Sequence, residues 1–204
     1  MYVPPAFAEP DTARLYAIAA AHPFATLVAV GPDGTPEIAH VPLLVDAARG
    51  VLLGHVARRN PLAQLLAQTP MTAVFHGPHG YVSPTWYASR AEVPTWNYVT
   101  VHARGPTREL DAKGLVRLLA SLAAAHEAGP RPWRMNEVEP SDLADMLDVI
   151  VGFELTVETL VGKLKLGQNR RPEDRAGVRD ALRRRGSDDD RAMLAWMEAA
   201  GGEE

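Results

Sequence analysis

Apolar positions along this chain repeat with two periods, and the changes between them mark out its elements. Leu15, Ile18 and His22 fall at helical spacing behind Asp11, which stands where a capping residue belongs, and His22-Pro23 ends the segment. Residues 24–30 form a short apolar run. Gly31-Pro32-Asp33-Gly34 is a turn signal, and residues 37–45 return, so 24–45 predicts a hairpin. Arg49-Gly50 turns the chain into a third strand over 51–56. Asn60-Pro61 supplies a cap and a proline at the first helical position, with Leu62, Leu65 and Leu66 as the apolar face. Residues 71–75 predict a fourth strand and 94–104 a fifth. On the fifth, Trp96, Tyr98, Thr100 and His102 share one face, and Asn97, Val99, Val101 and Ala103 the other. Sizeable groups on both faces imply a strand buried on both sides or placed at a subunit contact. A helix follows behind Asp111, with Leu115, Leu118, Leu119 and Leu122 inward. A second helix is expected over 141–149, a strand over 151–157, an extended segment over 162–169, and closing helices over 172–185 and 188–200. This order lacks regular βαβ alternation. It predicts an α+β fold: an antiparallel barrel or sandwich with peripheral helices.

Composition changes that picture little. The 204 residues suit one large domain, or one domain with an appendage. A net charge of −4 provides no overall basic field for nucleic acid. The chain has no cysteine, which excludes disulfides, thiolate metal sites and a cysteine nucleophile. No leader pattern and no apolar run of membrane-spanning length is visible, so the expectation is a cytoplasmic protein without a membrane partner.

Charge matters more locally. Residues 170–185 carry seven arginines against three acids, and 187–204 six acids against one arginine. A helix-turn-helix touching DNA and two helices that neutralise each other both fit this pattern. The second is preferred, because adjacent opposite charge weakens a phosphate field.

Candidate chemistry concentrates in three places. At 54–61 a strand ending in His55 and Arg58 feeds the capped helix start at Asn60, an arrangement suited to an anion such as phosphate; solvated arginines on a loop are the plain alternative. Lys163 and Lys165 point to one face of an extended segment, where an anion would relieve their repulsion; two solvated lysines on an edge strand are again the alternative. Between Tyr81 and Tyr98 lie five of the nine Trp and Tyr residues, near three histidines. Such side chains suit a pocket for a flat ligand, or cross-strand aromatic contacts. The seven histidines show no metal-ligand spacing, so no metal site is expected; His76 and His79 flank Gly77-Pro78, which suggests a turn.

These motifs, in order, resemble the PaiB family of FMN-binding negative transcriptional regulators. The likeness rests on Met1-Tyr2-Val3-Pro4 with Phe7, His22-Pro23, His40-Val41-Pro42, Gly54-His55-Val56-Ala57-Arg58 with Asn60-Pro61, and Gly80-Tyr81-Val82-Ser83-Pro84 with Trp86-Tyr87. It continues through Val93-Pro94-Thr95-Trp96-Asn97-Tyr98, Gly152-Phe153-Glu154, and Gly162-Lys163, Lys165-Leu166 and Gln168-Asn169. The resemblance implies an FMN-binding split β-barrel with peripheral helices over 1–169, a helical C-terminal appendage over 170–204, and a homodimer with flavin sites at the subunit interface. It implies that His55, Val56, Ala57, Arg58 and Asn60 hold the FMN phosphate. The flavin ring would lie against Tyr81, Ser83 and Trp86 or Trp96 and Tyr98, with Lys163, Lys165, Gln168 and Asn169 as the last wall. The family commonly has serine where this chain has Gly167. Two other functions stay open at this stage: a flavin-dependent oxidoreductase, and a haem-binding split barrel with His40, His55 or His102 as axial ligand.

Overall fold

In the computed structural model residues 1–89 and 92–201 are described. The chain runs β1 (Ala8–Glu9), α1 (Thr12–Ala21), β2 (Phe24–Val30), β3 (Pro36–Pro42), β4 (Leu44–Asp46), β5 (Val51–Ala57), α2 (Pro61–Leu65), β6 (Met71–Val82), β7 (Thr95–Gly105) and β8 (Thr107–Glu109). It continues α3 (Ala112–His126), α4 (Pro140–Asp148), β9 (Ile150–Thr156), β10 (Thr159–Lys165), α5 (Pro172–Arg185) and α6 (Asp188–Gly201). Contacts gather into two units. One holds residues 1–15, 76–101 and 161–204, the other 16–75 and 102–160. No helix among the described residues is long and apolar enough to cross a membrane.

In the second unit the expected hairpin forms, β2 against β3 from Phe24↔Pro42 to Val30↔Pro36, with β6 on the other side of β2. The returning strand is shorter than predicted. It stops at Pro42, Leu43 turns inward, and β4 joins a different sheet of order β4-β5-β9-β8. The amide of Leu43 donates to the Pro23 carbonyl at 2.9 Å, which fixes that corner. Gly54 on β5 faces Phe153 on β9. A Cβ there would lie 2.6 Å from Leu43 and 2.9 Å from Phe153, so glycine is what lets two large core side chains meet. Helices α3 and α4 pack on β9.

In the first unit the strand order is β1-β10-β7-β6. β1 is two residues long, paired Ala8↔Lys163, and the periodicity does not reveal it. β6 runs straight through Gly77-Pro78, where a turn was expected between His76 and His79. Gly77 explains this: a Cβ would sit 3.0 Å from the Val99 side chain, so the strand continues because glycine allows close packing. The in–out alternation slips at Pro78–His79, as at a β-bulge, and returns Tyr81 to the outer face.

Two ion pairs join the closing helices, as the preferred reading of the charge pattern expects: Arg183 meets Glu198 at 2.5 Å and Arg185 meets Asp190. Arg183–Asp180 at 2.7 Å and Arg191–Asp188 lie within one helix each. Asp190 is buried. Its carboxylate accepts from Arg185 Nε at 2.7 Å and also from Nη2, and from the Ser187 amide at 3.2 Å. The Arg185 bonds, opposed by burial and helped by Ser187, hold the Asp190 pKa at about 2 against an ordinary 3.8. A depressed acid stabilises the fold above its unfolded pKa and loses that contribution as pH falls through the folded one. About 2 kcal/mol should therefore vanish between roughly pH 4 and pH 2. Acid unfolding followed by circular dichroism is expected to lose this step in Asp190→Asn. A variant profile with the wild-type slope in that window would show that Asp190 carries no such linkage.

Candidate functional site

The outer face of the first unit's sheet is built by simple alternation. On β7, Asn97, Val99 and Val101 are buried while Trp96, Tyr98 and Thr100 turn outward. On β10, Gly162 and Leu164 are inward, so Lys163 and Lys165 come out beside Tyr98, as their spacing predicted. Lys163 Nζ lies 5.3 Å from the Tyr98 ring centre and 5.8 Å from that of Tyr2, and donates to the Tyr2 carbonyl at 3.3 Å. An ammonium between two aromatic faces is stabilised by both ring quadrupoles and held in one place. Lys165 Nζ donates to the Thr95 hydroxyl. Burial, with Lys163 and Arg170 acting in the same sense and Tyr98 opposing, holds Lys165 below the usual lysine range. An anion brought to this face would be welcomed by both amines.

A row of rings continues from there. Trp96 meets Tyr81 edge-on at 6.0 Å and His79 at 6.2 Å; Tyr81 meets Trp86 edge-on at 6.4 Å. The Arg185 guanidinium stands over Trp86 at 5.1 Å. Tyr81 and Trp96 remain exposed. Tyr2, His79 and Thr95 belong to this face and were not among the expected site residues. Their signal was present only as the N-terminal motif and the nearness of the histidines.

Other expected residues have structural work in the first unit. Ser83 accepts from the Thr85 amide at 3.2 Å and shares a 2.8 Å bond with the Thr85 hydroxyl, capping the turn that presents Trp86. Gln168 accepts from the Leu166 amide at 2.8 Å and donates to the Leu164 carbonyl at 2.6 Å. Its carboxamide thus satisfies the end of β10 as a neighbouring strand would. Asn169 is exposed on the following turn. Gly167 sits at φ +84°, a conformation that costs an L side chain.

The remaining five expected residues, His55 to Asn60, lie in the second unit. Val56 is buried in the core and Ala57 is exposed. The Arg58 amide donates to Val149 O at 2.8 Å, and its guanidinium to Asp148 O at 2.8 Å and Ile150 O at 3.0 Å. A cation on the last carbonyls of α4 also meets the negative end of that helix. Asn60 accepts from the Leu62 amide at 2.9 Å, the predicted cap. His55 is different. Its Nδ1 is buried and has no hydrogen-bond partner, and burial pushes its pKa down, keeping the ring neutral. An orphaned buried nitrogen suits a group that the protein alone does not supply. Among the described residues no group of three or more His, Asp or Glu is placed to hold a metal.

Comparison with known proteins adds to this geometry. A family model described as "Putative FMN-binding domain" matches residues 1–159. The chain is 31% identical over 202 residues to the protease synthase and sporulation protein PAI 2 of Bacillus subtilis, covering 97% of each chain. An uncharacterized protein of Emericella nidulans is 28% identical, over 74% of this chain and 77% of its own. Among solved structures, the flavocytochrome Anf3 of Azotobacter vinelandii matches with a TM-score of 0.62 at 16% identity, covering 78% of this chain and 69% of that one. The FAD and heme binding protein of Mycobacterium smegmatis matches with a TM-score of 0.60 at 18% identity, covering 78% and 73%. At these identities the structural matches speak for the fold, a split barrel with added helices.

Proposed function

This chain belongs to the PaiB family and carries its FMN-binding domain, and on that premise we propose that FMN lies on the outer sheet face of the first unit, in a homodimer that acts as a negative transcriptional regulator. The observation that carries the flavin placement is the pairing of Lys163, held between Tyr2 and Tyr98, with the partly buried Lys165. Aromatic faces take the flat ring, and the two amines take the anionic or carbonyl oxygens. The donor set of this face, two amines beside aromatic rings, fits the group. Bound flavin would supply reversible electron and hydride chemistry. The protein's own residues bind it, orient it and shield it.

A second copy of the chain is supported by what the faces leave open. Phe24, Val30 and Ile38 stand exposed on the outer side of the β2–β3 hairpin in one unit, and Trp96 in the other. Exposed apolar faces of this kind mark association surfaces. The regulatory role rests on the family alone. The paired arginines of α5 and α6 favour action through another surface over direct DNA contact by those helices.

The protein as purified is expected to show the visible flavin absorption band and to sediment as a dimer. A colourless monomer that takes up no added FMN would refute the reading. A Soret band would replace FMN by haem, and turnover of reduced nicotinamide would make the protein an oxidoreductase. Arg58→Ala separates two roles. Loss of two carbonyl bonds should cost about 1–2 kcal/mol of stability. FMN affinity should also fall, about tenfold, as for one charge-assisted contact. Unchanged affinity at lowered stability would confine Arg58 to holding the end of α4.

A further inference from the structure

The helical layer of the second unit contains an apolar cleft with an acidic mouth, lined by none of the residues assigned to the flavin. It lies between α3 and α4 and measures about 630 Å³, walled by Val116, Ala120, Met135, Leu143, Ala144 and Leu147. Ala120 and Met135 also wall an adjoining cavity of about 410 Å³, which contains Trp133 and Glu127. The larger volume is that of a site for a drug-sized molecule. Apolar side chains at such a mouth are an open cost to a soluble protein unless something covers them.

Charge says what kind of molecule. Between Glu137 and Asp148 the chain has five acids and no base. Glu137 and Glu139 line the cleft and Glu127 the adjoining cavity, against one lining base, Arg134. Glu127 accepts from the Trp133 backbone amide at 3.3 Å, and Trp133, which lines the same adjoining cavity, is 43% exposed. Carboxylates and an open indole face are the partners an organic ammonium seeks. An anion would be repelled by the same groups.

We propose that the α3–α4 cleft binds an organic cation with an apolar body, its apolar part against Leu143 and Leu147 and its ammonium beside Glu137 and Glu139. This site is separate from the flavin reading and stands without it. Ligand occupancy would brace α4, whose outer side chains otherwise meet water.

The test uses the full-length protein and two fluorescent probes: a dansyl group on a hexyl chain ending in trimethylammonium, and neutral dansyl hexylamide. The cation should show a saturable, blue-shifted rise in emission that persists with excess FMN present. The neutral probe should bind at least tenfold more weakly. Ala144 is exposed, so Ala144→Trp can fill the cleft without disturbing the core, and it should weaken the cation at least tenfold. The double variant E137Q/E139Q should weaken it roughly fivefold at low salt, the effect of two exposed charge contacts. Equal binding of the two probes, binding indifferent to Ala144→Trp, displacement by FMN, or no binding would each overturn the proposal.

Discussion

Replacing Lys163 and Lys165 together by alanine is expected to lower FMN affinity by about two orders of magnitude. Each ammonium offers a charge-assisted contact worth about 1.5 kcal/mol or more, and the pair about 3 kcal/mol, which is roughly a hundredfold in Kd. The fold should tolerate the change. Lys163 gives up one bond to the Tyr2 carbonyl and two ring contacts, and Lys165 one hydroxyl bond, all on the outer face of β10. Stability and affinity therefore separate: fluorescence titration of apoprotein with FMN should show the loss while thermal unfolding moves little. The single variants should be unequal. Lys165 is partly desolvated, so its contact with an anion is less screened by water. An unchanged Kd in the double variant would remove the flavin from this face and leave the two lysines as edge-strand cations.

That face was legible because its grammar is local. Period-two alternation placed Trp96 and Tyr98 opposite Asn97 and Val99, and the same rule brought Lys163 and Lys165 to one side. What sequence could not give was the use to which each polar side chain is put. Gln168 and Ser83 read as ligand groups, and the structure adds a backbone role for each: one completes the end of β10 and the other caps a turn. Arg58 likewise donates to carbonyls some ninety residues downstream, a partnership that no spacing rule predicts. Breaks in the strands were misread for a related reason. Gly77-Pro78 signals a turn by its dihedral preferences, but glycine opposite Val99 is used for closeness instead. β1 was invisible because two residues have no period. Pairing with β10 decides that element, and such pairing is a long-range event.

A methyl group added at Gly177 should unsettle the protein more than the helix around it would suggest. In α5, glycine to alanine ordinarily stabilises by about 1 kcal/mol, since glycine is the costlier helix residue. Here the new Cβ would lie 2.1 Å from the carbonyl oxygen of Trp86 and 3.3 Å from its carbon. The obstacle is backbone and cannot rotate away. Helix and turn must part, and the turn is anchored elsewhere: Arg185 stands over the Trp86 ring, and buried Asp174 accepts from the Ser89 amide at 3.3 Å. We expect Gly177→Ala to destabilise by about 3 kcal/mol, the upper range for overpacking, in spite of its better helix propensity. Ala176→Gly, one residue away, isolates propensity and should cost only about 1 kcal/mol. Chemical denaturation of both variants measures the contrast. FMN affinity should fall in Gly177→Ala as well, because Trp86 carries the end of the ring row through its contact with Tyr81. If Gly177→Ala proves as stable as the parent, the close approach of α5 to this turn does not fix the aromatic face; a destabilised variant with unchanged FMN affinity would take Trp86 out of the flavin site.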